Sequence, residues 1–133
     1  MKLDVVTPQG AKVKDVEVRE VTLPGLLGEM GVLPGHEAMI AALGIGPMVL
    51  ETPAGRETFA LASGFVEVLG DRVSVLAETC ERSDEIDVTR AKAKVDEDVR
   101  RLHDVHPVEG EAYNVLAASL KKAETRVRVA GGK

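Results

Sequence analysis

Apolar residues change their spacing once along this chain, at Ser83. Before it they alternate with polar ones: Val16 and Val18 around Glu17, Val66 and Val68 around Glu67, Val73 and Val75 around Ser74. A period of two with one polar face predicts half-buried strands. Gly70-Asp71 has the spacing of a two-residue hairpin loop, and Thr52-Pro53-Ala54-Gly55 is a second turn signal. Short strands with turns this frequent suggest an antiparallel sandwich or barrel. After Ser83, apolar residues recur at Val88, Ala91, Val95, Val99 and Leu102, in steps of three and four that line one helix face. Asp87 is the expected N-cap, and Pro107 and Gly110 should stop this helix near His103. A second helix is predicted from Glu111 to Val127, with the stripe Ala112, Leu116, Leu120, Ala123 and Val127. Lys121, Lys122, Arg126 and Arg128 place cations at the end the helix dipole favours, and Gly131-Gly132 closes the chain. The expected plan is a β domain over residues 1–84 and a helical hairpin over 85–133.

A core for the β domain has to be built from small aliphatic side chains. Of the 133 residues, 44% are apolar, but Phe, Tyr and Trp together number three while Val alone occurs twenty times. Stacking platforms for single-stranded nucleic acid need exposed rings, which this composition does not supply. The formal net charge of −5 lacks the basic footprint of a DNA or RNA binder. Charge is uneven: residues 1–84 carry 7 basic and 13 acidic side chains, and residues 85–133 carry 10 and 9. Cys80 is the one cysteine, so no intrachain disulfide can form, which suits a reducing compartment. The longest uncharged run, Ala38 to Leu50, is thirteen residues and contains Gly44, Gly46 and Pro47, whereas a spanning helix needs roughly twenty apolar residues. No apolar signal segment follows Met1-Lys2-Leu3-Asp4. These features predict a cytoplasmic protein, able to reach a membrane machine only through another protein.

No catalytic constellation emerges. His36-Glu37 starts like a zinc-peptidase motif, but Ile40 stands where the second histidine belongs. His103 and His106 with Asp104 could touch one metal, yet a solvated helix end accounts for them better. Cys80 lacks a partner at CxxC spacing and reads as a buried structural thiol. The segment from Gly25 to His36 lacks the Gly-Lys-Ser/Thr ending of a phosphate loop, and Glu29 would repel phosphate. It reads instead as a tight, non-repetitive loop with positive φ at several glycines, built to present a surface. A substitution such as Gly31→Val should then strain it.

Four motifs together carry a resemblance. Gly28-Glu29-Met30-Gly31-Val32-Leu33-Pro34-Gly35-His36 resembles the Gly-Glu-x-Gly-(Ile/Val)-x-Pro-Gly-His segment of the epsilon subunits of F-type ATP synthases. Leu3-Asp4-Val5-Val6-Thr7-Pro8 is similar to that family's opening strand. Ala62-Ser63-Gly64-Phe65-Val66-Glu67-Val68 is similar to its Ser-Gly-Gly-(Phe/Ile)-x-Glu-Val hairpin, one glycine short, and Ile86-Asp87-Val88-Thr89-Arg90-Ala91 to its Ile/Leu-Asp-x-x-Arg-Ala helix start. The motifs are collinear and span the chain.

The resemblance implies a ten-stranded antiparallel β-sandwich followed by a two-helix antiparallel hairpin. It implies a non-catalytic subunit of the central rotor, peripheral on the cytoplasmic side of the inner membrane, with no metal and no cofactor. The sandwich would bind the gamma subunit and the membrane c-ring, with Glu29 and Gly31 in the loop facing the ring and His36 near gamma. The hairpin would extend towards the alpha and beta subunits and obstruct ATP hydrolysis. In members that bind ATP, the matching positions here are Glu81, Asp87, Arg90, Ala91 and Arg126. Lys122 replaces an expected arginine and Glu97 an expected base, so ATP is expected to be at most a weak regulatory ligand. The same residues also read as a helix cap and a solvated or cross-helix ion pair. Two readings of other classes stand beside the rotor subunit: a free-standing β-sandwich that binds a small ligand through its glycine-rich loop, and a hydrolase with an unfamiliar site.

Overall fold

The computed structural model describes residues 1–105 and 110–131. Seven strands form one sheet: β1 (Lys2–Thr7), β2 (Gly10–Glu17), β3 (Glu20–Gly25), β4 (Gly28–Val32), β5 (Met39–Thr52), β6 (Gly55–Leu69) and β7 (Arg72–Arg82). Their spatial order is β2-β1-β7-β6-β5-β3-β4. Neighbours pair antiparallel except β1 and β7, which run parallel with Lys2 opposite Arg72 and Val6 opposite Leu76. Both predicted turns are present. Gly70, at φ 62°, lies in the β6–β7 turn, and Thr52 Oγ1 accepts from Ala54 N and donates to the Gly55 carbonyl in the β5–β6 turn.

β5, β6 and β7 are too long to lie flat on one core. Each changes the side it turns inward part-way along. In β6 the inward residues are Phe59 and Leu61, then Val66 and Val68. In β5 they are Met39, Ala41 and Leu43, then Met48 and Leu50; in β7, Val73, Val75 and Ala77, then Cys80. Side chains on a strand alternate, so an odd-to-even change means a local twist that exchanges the two faces. It occurs at one level in all three strands, where Leu43 pairs Gly64 and Gly64 pairs Ala77. Ser63 and Gly64 supply it with φ of 53° and 155°. The sheet creases there and closes on itself, so inward residues from both ends of each long strand meet in a single cluster. Counted on both sides of the crease, the three long strands raise the seven to the ten segments implied by the resemblance.

That core is aliphatic: Leu3, Val5, Val18, Val21, Leu23, Leu50 and Val66 are nearly or fully inaccessible, and Phe59 is the single ring among them. Cys80 belongs to it, and burial pushes its thiol up to about 12, which makes it inert at neutral pH. On the surface, Arg72 bridges two carboxylates, Asp4 at 2.5 Å and Asp15 at 2.7 Å, and Asp4 also accepts from the Asp15 backbone N–H. Lys12 reaches Glu85 at 2.5 Å, tying β2 to the 3₁₀ turn Ser83–Glu85.

The hairpin consists of α1 (Val88–Asp104) and α2 (Glu111–Ala130). Asp87 caps α1 as predicted, its Oδ1 accepting from Arg90 N at 3.0 Å. Pro107, His106 and Gly132 lie outside the described residues. α2 lies on the outer face of β5 and β6, where Ala60, Ile86, Ala91 and Val129 form a second, small cluster with Val127 and Ala130 against it. The predicted stripes are corrected in detail. Val88 and Val99 are exposed, Ala112 is exposed, and Asp98 is buried in place of Val99. Thr125 and Val129 join Ala123 as the buried residues of α2. α1 packs chiefly against α2 rather than on the sheet, so its inner face follows the seam between the helices.

Two outcomes follow for stability. A β-carbon at residue 64 would stand 1.8 Å from the Leu76 carbonyl oxygen, whereas one at Gly70 would meet nothing within 4 Å. Gly64→Ala should therefore cost at least ~2 kcal/mol in urea denaturation, and Gly70→Ala about 1 kcal/mol. The Asp15 N–H and then Arg72 hold the Asp4 carboxyl below its ordinary 3.8, and Lys12 holds Glu85 below 4.5. A carboxylate depressed in the folded state stabilises fully above its unfolded value and loses that contribution as pH falls through the folded value. Stability should thus hold from neutral pH into the mild acid range and decline below it. Arg72→Met should flatten the acid limb, measured as denaturation midpoint against pH.

Candidate functional site: the outer faces of the sandwich and the hairpin seam

The segment from Gly25 to His36 is mostly regular structure. β3 and β4 form a hairpin with Leu26 and Leu27 at its tip, Leu23 opposite Met30 and Pro24 opposite Glu29. This corrects the expectation of a non-repetitive loop. Alternation along β4 sends Met30 and Val32 towards the core and leaves Glu29 and Gly31 exposed. Positive φ occurs at Gly28 (136°) and Gly35 (86°) but not at Gly31, whose added β-carbon would make only an ordinary 3.7 Å contact with Glu20. The strain expected of Gly31→Val is therefore absent. His36 is half-buried beyond the end of β4; its N–H donates to the Leu33 carbonyl at 3.1 Å, and its Nδ1 sits 2.8 Å from the Glu37 carbonyl. Leu27 is fully exposed, Leu26 and Leu33 more than half exposed, and a groove of about 540 Å³ runs under the hairpin tip beside Ala41 and Ala42.

The residues matched to nucleotide binding come together only in part. Arg126 on α2 binds Glu81 at the end of β7 through two contacts, Nε–Oε1 at 2.7 Å and Nη2–Oε2 at 3.2 Å. Asp87 is engaged as the cap of α1, Arg90 is exposed, and Ala91 is fully buried in the cluster beneath the helices. Lys122, Thr125 and Arg126 line a cavity of about 20 Å³ against Ala60, Ala62 and Thr79, room for about one water. Glu97 is held by its own helix, with Arg101 at 2.6 Å and Lys94 at 3.9 Å.

A surface that sequence reasoning missed lies on the other side of the crease. There the outer face has no helix over it. Ala42, Phe65, Leu76 and Val6 are successive register partners on β5, β6, β7 and β1, a row of apolar side chains four strands wide. Phe65 and Leu76 are more than half exposed and Val6 is 40% exposed. Ile40 and Leu69 extend the face at 73% and 63%. The signal was available: Val66 and Val68 turn inward, so Phe65 and Leu69 must share the face of Glu67. Among the described residues no group of three His, Cys, Asp or Glu side chains could hold a metal, and no helix is long and apolar enough to cross a membrane. His103 lies exposed near the end of α1.

The model of the ATP synthase Delta/Epsilon chain beta-sandwich domain matches residues 1–83. An ATP synthase epsilon chain of Trichlorobacter lovleyi is 44% identical over 131 residues, 98% of this chain and 94% of the relative. This chain belongs to the ATP synthase epsilon-chain family. The epsilon chain of Geobacter sulfurreducens is 42% identical over the same proportions. Among solved structures, a chain of the Euglena gracilis mitochondrial ATP synthase, in an assembly of OSCP, F1 and c-ring, superposes with a TM-score of 0.82. That alignment has 23% identity over 94% of this chain and 78% of the other. A chain of the Tetrahymena thermophila ATP synthase central stalk and c-ring gives a TM-score of 0.57 at 15% identity, over 99% and 94% of the two chains. At these identities the likeness to the solved structures is one of fold. Membership of the epsilon-chain family makes this an accessory chain rather than a catalytic one.

Proposed function

We propose that this chain works in the central stalk of an F-type ATP synthase, coupling c-ring rotation to the catalytic head through the gamma subunit. The observation that carries the reading is the uncovered apolar row Ala42–Phe65–Leu76–Val6 with Ile40 beside it. An apolar face this wide on a sheet is a place for a partner, and in a stalk subunit the partner is gamma. The exposed Glu29 and the Leu26–Leu27 tip, at the far edge of the same sheet, are offered to the c-ring, with His36 towards gamma. The protein would sit peripherally on the cytoplasmic side of the inner membrane, held there by the ring.

The hairpin restrains ATP hydrolysis by leaving the sandwich and reaching the alpha and beta subunits. To leave the sandwich it must break the Glu81–Arg126 pair and a small alanine-rich cluster around Val129, and to extend it must also open the seam between α1 and α2. The pair is only 28% and 34% exposed, and the desolvation of its two charges offsets much of what their attraction contributes. ATP is a weak regulatory ligand of the closed hairpin, because Arg126 is already committed to Glu81 and the adjoining cavity holds no more than a water.

Phe65→Asp should weaken binding to gamma by at least about tenfold, with an unchanged thermal melt. Wild-type affinity in a titration with gamma would overturn the assignment of the face. Isothermal titration of the protein with ATP should give a dissociation constant in the millimolar range, about −4 kcal/mol. Micromolar binding would show that Arg126 leaves Glu81 readily for a phosphate.

A further inference from the structure

Asp98 is a carboxylate with no exposed surface, in a helix whose remaining inner residues are small or half-buried. It faces α2, where Ser119 Oγ donates to Oδ2 at 2.6 Å. Among the described residues its other oxygen, Oδ1, has no hydrogen-bond donor in good geometry; the Lys94 ammonium, one turn back on α1, stands 3.3 Å away and is itself 41% exposed. Lys94 is shared with Glu97 at 3.9 Å. Among the described residues, one hydroxyl from α2 and one partly solvated cation from α1 are thus the polar partners of a buried charge.

We propose that Asp98 and Ser119 form a conditional lock on the closed hairpin: Ser119 holds the two helices in register, and the charge of Asp98 favours opening whenever that bond is lost. The inference rests on the reading that the hairpin moves. Its physical basis is an asymmetry. Removing the hydroxyl is destabilising, because the buried Oδ2 is left charged and without its donor in the dry seam. Removing the charge itself costs little, because its ionic partner Lys94 is 41% exposed and turns to water, while the desolvation of the carboxylate is no longer required. In the closed state Asp98 Oδ2 meets its donor when residue 119 stands directly opposite, so a slip along the seam is penalised. In the open state water replaces Ser119 at no loss. An apolar pair at these two positions would hold the helices with no such condition.

Hydrogen exchange of the full chain, followed by mass spectrometry, separates this from an ordinary stabilising contact. Ser119→Ala should raise exchange throughout α1 and α2 by about tenfold or more, while sandwich peptides keep their protection and so verify the fold. Asp98→Asn keeps shape and an acceptor for Ser119 but removes the charge, and should leave exchange unchanged or slower. Asp98→Ala combined with Ser119→Ala should exchange like Asp98→Ala alone. If Asp98→Asn loosens the helices as much as Ser119→Ala, or Ser119→Ala has no effect, the lock is overturned. Reassembled enzyme tests the regulatory reading separately: Ser119→Ala should lower ATP hydrolysis and Asp98→Asn raise it. The expected exchange pattern with unaltered hydrolysis upholds the lock and overturns the regulatory role of the hairpin.

Discussion

The Leu76 carbonyl oxygen occupies the space where residue 64 would carry a side chain. β6 and β7 approach this closely because the sheet turns over on itself there, and almost everything else depends on that turn. It allows one sheet to enclose its own core. It sends Phe59 and Val66 of a single strand into the same cluster from opposite sides of the crease. It also divides the outer surface into two territories of different character. On one side Ala60 and Ala62 offer a low, small-residue bed for α2; on the other Phe65, Leu76 and Ile40 stand uncovered. Regulation and partner binding, as proposed, occupy separate ends of the same three strands.

Much of this was written in local patterns. The period-two runs, the turns at Gly70-Asp71 and Pro53-Ala54, the cap at Asp87 and the break near Ser83 are decided by neighbours in sequence, and they match the structure. The crease was not legible as such. No local signal near Ser63-Gly64 states that one continuous strand carries both Phe59–Leu61 and Val66–Val68 with opposite inward parity. The parallel pairing of β1 with β7 was hidden for a similar reason, since nothing near Leu3 encodes a partner seventy residues away. The β3–β4 hairpin reads as loop because four glycines in twelve residues suggest positive φ at several of them, and only Gly28 and Gly35 adopt it. Of the residues that the family resemblance offers for a nucleotide, Arg126 and Glu81 are joined to each other in the structure.

The seam between the helices shows where hydrophobic periodicity stops being a guide. Val99 fits the stripe by chemistry and Asp98 does not, yet Asp98 is buried and Val99 exposed. A polar side chain can take an inner position when a partner waits across the interface, and that partner, Ser119, is twenty-one residues away. Periodicity alone cannot anticipate such a pair, because it scores each residue without regard to what it will face.

The parallel pairing of β1 with β7 has a consequence for how the chain comes to be folded. β1 and β2 can pair as a hairpin early, but the other edge of β1 stays unsatisfied until residues 72–76 arrive. Through most of synthesis this leaves an open strand edge rich in valine, the kind of surface that invites pairing with other chains. Docking β7 covers that edge and joins the β1–β2 hairpin to the rest of the sheet in one event. The sandwich is therefore completed by its last strand, through a loop closure spanning nearly the whole domain, the kind of non-local pairing that slows folding.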